Sequence, residues 1–314
     1  MSQIEIDVLK QGRQSKYVMS CSFFTMKDSY RNFDKYRKAL TNILTSEELD
    51  PRYELRIYVD DSSKEDALAL CNKYDMHNPT ILHFNCPEFR DGDGHIGTFG
   101  TLVRFLPLFE KDLEEVWISD IDIPDHYLEH TPIQRLMEGS KVFIQTSICY
   151  DRKIYARKYT IVANRTIFRV SFSKAVLTRF LTKLKEGKLE DTVQKLNAVN
   201  TRKPSSKVPY GIDEVFMNTD IYNLLKKKDI KCCILKHYNA ENFLHNMLTP
   251  KEEDILKNNY YNPSSTTVAQ AKKIYKAKLP LIVNKYPCLQ DMIDNLDSFK
   301  NTFAKIFIVN STDL

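Results

Sequence analysis

The chain has 314 residues, 42% of them hydrophobic, with 17 Phe and 17 Tyr and a net charge of +5 from 46 basic against 41 acidic residues. That composition can bury a sizeable core and excludes an intrinsically disordered chain. So mild a basic excess excludes charge alone as an argument for nucleic acid, while it suits a phosphate-bearing ligand.

Taken in order, residues 17–24 read as the first core strand, and a helix over 29–44 follows with Phe33, Tyr36, Leu40 and Ile43 at helical spacing. Residues 54–59 make a second strand that ends in Asp60-Asp61-Ser62-Ser63, with Ser63 placed to cap a helix over 64–74. Residues 80–84 are a third strand. Strands alternating with helices at these intervals predict an α/β fold with a mostly parallel, doubly wound sheet, whose ligands lie beyond the carboxyl ends of the strands.

Half of the eight glycines then fall within nine positions, at Gly92, Gly94, Gly97 and Gly100. A helix starting near His95 would put Phe99, Leu102, Val103 and Leu106 on a core face. Its other face would carry Gly97, Gly100, Thr101 and Arg104, a surface that a ligand could approach closely or that a neighbouring helix could cover. The Arg104 guanidinium there suits a phosphate or a carboxylate. Neither a G-x-G-x-x-G after a strand nor a Walker A loop is present.

Residues 116–118 form a short apolar strand leading into Asp120-Ile121-Asp122. In an extended segment Asp120 and Asp122 point one way and Ile121 the other, into the core. Such a pair is often only a strand-to-loop turn. It also suits a hard divalent cation completed by substrate phosphate oxygens and water. Asp60 and Asp61 end another strand, so two acidic strand ends converge in the expected topology.

Further on, residues 127–137 read as a helix, 141–147 and 161–170 as strands, and 173–185 as an amphipathic helix. The Lys-rich stretch 186–208 reads as a polar connecting loop. Asp213 and Glu214 open a helix after Tyr210-Gly211, where acidic residues complement the helix dipole and where a carboxylate could face a sugar. A strand over 231–235 ends near His237. From Pro250 the pattern is helical, and Leu289, Met292, Ile293, Leu296, Phe299, Phe303, Ile306 and Phe307 continue it as an apolar stripe.

These residues resemble the GT-A fold glycosyltransferases, which use nucleotide-sugar donors, over roughly residues 16–240. The Arg-bearing segment around Gly97, Gly100, Thr101 and Arg104, followed by Val-Trp-Ile-Ser-Asp120-Ile-Asp122, is similar to the glycogenin-like retaining families. Gly211-Ile-Asp213-Glu214-Val-Phe-Met-Asn218 looks like the His-Asp-Glu-Ser-x-x-Asn segment of the blood-group-type retaining transferases, with Ile212 in place of the His. The chain also resembles predicted transferases of large DNA viruses.

The resemblance implies Mn²⁺ or Mg²⁺ on Asp120 and Asp122, with His237 as stand-in for a third ligand that the family takes from a motif absent here. It implies a donor site at Ser20, Cys21, Ser22, Asp60 and Asp61 for the nucleoside, and at Gly97, Gly100, Thr101, Arg104, Asp120 and Ile121 for the phosphates and sugar. Asp213, Glu214 and Arg104 become the catalytic candidates. The expected activity is transfer from a UDP-sugar, with retention favoured, to a glycan, protein or small-molecule acceptor. A nucleotidyltransferase of similar fold and a non-catalytic nucleotide-sugar-binding protein are the alternatives; against the first, residues 20–28 lack the Gly-rich loop it would show.

The expected layout is a catalytic domain over 1–249, with a donor half at 16–125 and an acceptor half at 126–249, and a helical extension over 250–314. The seven cysteines include no C-x-x-C pair, which favours free thiols in a reducing compartment. No apolar run reaches the roughly 18 residues of a membrane span, and residues 1–7 lack the pattern of a secretory leader. The expectation is a cytoplasmic protein (the host cytoplasm if viral), without nucleic-acid partners and able to pair as a homodimer.

Overall fold

A computed structural model describes residues 4–26, 33–45, 50–74, 78–122, 137, 139–146, 161–199, 205–239, 244, 246–261, 264–294, 296 and 302–310. The chain divides into two compact units, the first Met1–Gln145, Tyr150–Ile234 and Ile308–Leu314, the second Thr146–Cys149 and Leu235–Phe307.

The strands are β1 Glu5–Lys10, β2 Tyr17–Phe23, β3 Tyr53–Val59, β4 Thr80–Asn85, β5 Arg90–Asp91, β6 Gly94–His95, β7 Glu115–Ser119, β8 Val142–Thr146, β9 Ile161–Phe168, β10 Lys231–Asn239 and β11 Thr302–Asn310. The main sheet has the order β1-β4-β3-β2-β7-β9-β8-β10-β11. β2 pairs in parallel with β3 and with β7, and β3 with β4. β1 and β9 are antiparallel to their neighbours β4 and β7. The helices Phe33–Leu44 and Lys64–Lys73 make the crossovers from β2 to β3 and from β3 to β4. This is the expected α/β, Rossmann-like arrangement.

The centre of the sheet forms where the sequence is most continuously apolar. Val18, Ile57, Val59, Ile81, Phe84 and Ile118 are fully buried, and Trp117 nearly so. Burial on both faces is why these strands read as unbroken hydrophobic runs rather than alternating ones. Because β2, β3 and β7 run the same way, Phe23, Val59 and Ser119 end on one edge of the sheet, and Asp60 and Asp120 are the next residues after two of them.

Several local expectations are corrected. No helix begins at His95, which instead sits in the β5–β6 hairpin. Gly97 has φ +54°, in the left-handed region that breaks a helix, so only the turn Gly100–Val103 is α-helical before a 3₁₀ turn at Leu106–Phe109. The stretch 186–208 contains the helix Glu190–Val199, held by buried Val193 and Leu196 three residues apart, too few apolar positions among polar neighbours to show a helical period. Ser63 makes no side-chain cap; its hydroxyl donates to the Phe23 carbonyl. The helix expected over 127–137 lies outside the described residues except for Met137.

In the second unit, the helices Pro250–Tyr261 and Ser265–Lys278 surround a small core of Leu244, Leu256, Ala271, Ile274, Tyr275, Leu279 and Leu289. Ser264 and Thr267 form a capping box at the start of the longer helix. The apolar stripe that reads as helical to Phe307 does not stay helical. A short helix, Gln290–Asp294, gives way to the strand Thr302–Asn310, whose β-branched and aromatic residues favour a pleated surface.

Candidate functional site

Arg104 is the centre of the site, and several contacts fix its place. Its backbone carbonyl accepts the Ser20 hydroxyl at 2.7 Å, tying the turn Gly100–Val103 to β2. Its guanidinium is buried, 4% exposed, and Nη2 donates to Asp213 Oδ2 at 2.6 Å while Nη1 donates to Asp120 Oδ1. Asp120 stands directly after β7, and Asp213 is 109 residues away in sequence from Arg104.

What brings Asp213 there is the preceding loop. The Thr98 amide donates to the Val208 carbonyl at 2.9 Å and its hydroxyl to the Pro209 carbonyl at 2.8 Å. Gly97 can have no side chain because the Val208 carbonyl and Ser206 occupy the space of a Cβ. Gly211, with φ +90°, then turns the chain into the helix Ile212–Phe216 so that its first turn presents Asp213 and Glu214. The far end of that helix continues into a π turn, Met217–Ile221. There Asn218 accepts from the Ile161 amide at 2.9 Å and donates to the Ile161 and Glu214 carbonyls, both at 2.8 Å, which locks the helix to β9.

Thr101, Arg104, Asp120, Ile121, Asp122, Asp213 and Glu214 line one cavity with Ser22, Phe24, Tyr36 and Tyr210. It is narrow, about 70 Å³, below the roughly 300–1,000 Å³ of pockets that enclose whole ligands. Asp120, Ile121 and Asp122 all line it, because the segment is a turn rather than an extended strand end, and Ile121 is 5% exposed.

The electrostatics are those of one cation among four carboxyl groups. Burial works against the charge of Arg104, but Asp120 and Asp213 outweigh it and hold the guanidinium firmly charged. Glu214 is pushed well above the ordinary carboxylate range, first by burial and then by Asp213 beside it, which favours its protonated form. Arg104 Nε is buried with no hydrogen-bond partner, a donor that an oxygen entering from the cavity would satisfy.

The remaining sequence candidates are placed as follows. Ser20 and Cys21 are fully buried behind the site, and burial pushes the Cys21 thiol up to about 12. The Cβ position of Gly100 is filled by the Phe24 ring, so neither Gly97 nor Gly100 opens onto free space. Asp60 and Asp61 lie outside the cavity. Asp60 is fully buried; His95 Nδ1 lies 2.9 Å from its Oδ2, and the Ser62 amide donates to Oδ1 at 3.1 Å. The Cys86 amide donates to His95 Nε2 at 3.1 Å, so the proton of this imidazole is on Nδ1 and points at Asp60. Asp61 accepts from Lys64 and Arg90, both at 2.7 Å, and meets His83 at 3.0 Å. The His237 side chain lies outside the described residues.

Tyr36 read only as part of a helical apolar stripe, Tyr210 only as the residue before Gly211, and Phe24 only as the end of the first strand, so none of them stood out as a cavity residue. Aromatic residues carry no spacing signal when they come from three separate loops and helices.

Among the described residues no cluster of three or more metal-ligating side chains is present. The two carboxylates Asp120 and Asp122 form an all-oxygen pair open to the cavity. That donor set fits a hard cation held by one or two carboxylates and otherwise by substrate phosphates and water. A larger cleft of about 690 Å³ lies over β1, β3 and β4, but its central charges pair with one another, Arg56 with Glu54 at 3.0 Å and with Glu110 at 2.7 Å.

No protein-family model matches the chain, and no curated protein matches it in sequence. Among solved structures the chain is similar to glycosyltransferases. One is mouse xyloside xylosyltransferase 1, with 12% identity and a TM-score of 0.34 over 66% of this chain and 81% of that one. A second is the galactosyltransferase LgtC in complex with donor and acceptor sugar analogues, with 14% identity and a TM-score of 0.37 over 65% and 70%. It is also similar to 4-diphosphocytidyl-2C-methyl-D-erythritol synthase of Anaerococcus prevotii, with 13% identity and a TM-score of 0.31 over 78% and 96%. Likenesses this distant leave the chemistry to be argued from the residues themselves.

Proposed function

We propose that the chain is a metal-dependent GT-A-type glycosyltransferase that takes its sugar from a nucleotide-sugar, with UDP as the nucleotide and retention as the stereochemical outcome. The observation that carries this reading is the bridge made by Arg104, which joins the carboxylate after β7 to the carboxylate at the helix Ile212–Phe216 across a cavity that Asp122 and Glu214 also line. A sugar-diphosphate bond breaks with negative charge growing on the leaving phosphate and positive charge on the sugar. The site offers groups for both.

Mn²⁺ or Mg²⁺ held by Asp120 and Asp122 would supply charge neutralisation on the diphosphate. Arg104, already charged and aimed by two carboxylates, would stabilise the same leaving group without having to reorganise. Asp213 would hold the sugar hydroxyls, its position set by Arg104. Glu214, whose burial beside Asp213 favours the protonated form, would in that form donate a hydrogen bond to the sugar or the departing oxygen, and as a carboxylate it would face the positive charge on the ring. The acceptor is a glycan, protein or small molecule.

The test is an assay of UDP release and glycoside formation from a panel of UDP-sugars with MnCl₂. Removing one preorganised charge-stabilising group costs about 100-fold or more in rate, so Arg104→Ala and Asp122→Asn should each fall by at least that factor. If no nucleotide-sugar turns over while a nucleoside triphosphate is consumed with pyrophosphate release, the chemistry is nucleotidyl transfer and this reading is wrong.

A further inference from the structure

Between Asp254 and Asp291 the sequence contains six lysines and no aspartate, glutamate or arginine. That local charge exceeds the net +5 of the entire chain. The segment belongs to the second unit and includes the helix Ser265–Lys278. Ala271, Ile274, Tyr275 and Leu279 point into the core of that unit. Lys273, Lys276 and Ala277 are exposed, and so are Pro280, Leu281, Asn284 and Lys285 just beyond the helix. Lys273, Lys276 and Ala277, three and four residues apart, share one side of the helix, and Pro280 and Leu281 follow in the 3₁₀ turn Leu279–Leu281. Lys278 does not belong to this stripe, since it turns to the Met247 carbonyl at 2.8 Å and to Glu252 at 3.4 Å.

Leu281 is 69% exposed, the most exposed large apolar side chain among the described residues. Its neighbour Ile282 packs on the core together with Tyr286, and Leu281 is left outside. An apolar tip bracketed by Lys276 and Lys285 suits a lipid–water boundary. The leucine enters the acyl region while the lysine stems lie along the surface and their ammonium groups meet phosphates. A nucleic acid would engage the lysines through its phosphates but leave Leu281 in water.

We propose that this stripe, Lys273, Lys276, Leu281 and Lys285, docks the protein peripherally on an anionic phospholipid bilayer. No helix among the described residues is long and apolar enough to cross a membrane, so the contact is a surface one. One apolar anchor with three lysines gives reversible attachment.

Flotation of the full chain with phosphatidylcholine vesicles, with and without phosphatidylserine, tests this. The protein should float only with phosphatidylserine and should be released by high salt. Lys273→Glu/Lys276→Glu/Lys285→Glu should weaken partition by about 100-fold or more, and Leu281→Ser by about 10-fold. These side chains are exposed, so melting temperatures should match wild type; if the triple variant melts early, Leu281→Ser alone decides. Failure to float with anionic vesicles, equal flotation with neutral ones, or unchanged binding in Leu281→Ser would overturn the proposal. So would a single-stranded RNA that competes the protein off the vesicles and binds Leu281→Ser as well as wild type.

Discussion

Replacing Arg104 with methionine keeps most of the side-chain volume and removes the charge that two carboxylates share. The two are not equally exposed. The Asp213 side chain is 8% exposed and that of Asp120 is 30%, so Asp120 can turn to water and Asp213 cannot. The cost therefore falls mainly on Asp213, left as an uncompensated buried charge, which is worth about 3–5 kcal/mol. At roughly 2–4 °C per kcal/mol for a unit of this size, melting should fall by about 6–20 °C. Asp213→Asn in the same background removes the stranded charge, so the double variant should recover at least half of the loss. Trp117 is the one tryptophan in the chain and is buried in β7, three residues before Asp120, so urea unfolding followed by its fluorescence reports on this site. A single variant within about 1 kcal/mol of wild type would refute the argument, as would a double variant no better than the single.

Glu214 keeps its proton in the folded chain well above its ordinary value of 4.5, while the unfolded chain releases it near that value. The stability it contributes is complete below that value and is lost as pH rises through the folded value. As pH rises above 4.5 toward the folded value, Glu214→Gln should gain on wild type by up to about 1.4 kcal/mol per pH unit, and parallel stability-versus-pH curves would contradict this. Gly100→Ala must push a Cβ into the Phe24 ring and should cost about 1–3 kcal/mol in a thermal melt. His95→Ala removes the imidazole N–H that donates to the fully buried Asp60 and should destabilise by about 1.5–3 kcal/mol, with His95→Gln losing less because its amide can still donate.

The parts of the fold that the sequence announced are those where local pattern and tertiary role agree. β2, β3, β4 and β7 are buried on both faces and read as continuous apolar runs, and Asp120 follows directly on β7 as its apolar run predicts. The helix Glu190–Val199 was concealed because it buries only Val193 and Leu196 and the rest of its sequence is mostly polar, too few apolar positions to show a helical period. β11 was misread because Phe303, Ile306 and Phe307 fit a helical spacing, which outweighed the β-branched and aromatic composition of Thr302–Asn310 that favours a strand. Within the site, the acidic pairs and Arg104 were visible as residue types. Their assembly was not, because Asp213 reaches Arg104 through the Thr98 clamp on Val208 and Pro209, a contact that no spacing rule encodes. The same holds for Asp60, whose partner His95 looked like the start of a helix.

The central claim is a metal-assisted nucleotide-sugar site at Asp120 and Asp122, and ligand-induced stabilisation tests it most directly. Wild type and Asp122→Asn would be melted with UDP-sugars, with and without Mn²⁺. A ligand at about 100 times its Kd adds roughly 2.7 kcal/mol of stability, a rise of about 5–11 °C. The account predicts that rise for wild type only when Mn²⁺ and the UDP-sugar are both present, and its loss in Asp122→Asn. A folded protein that shows no shift with any nucleotide-sugar, or the same shift without metal and in the variant, would contradict it.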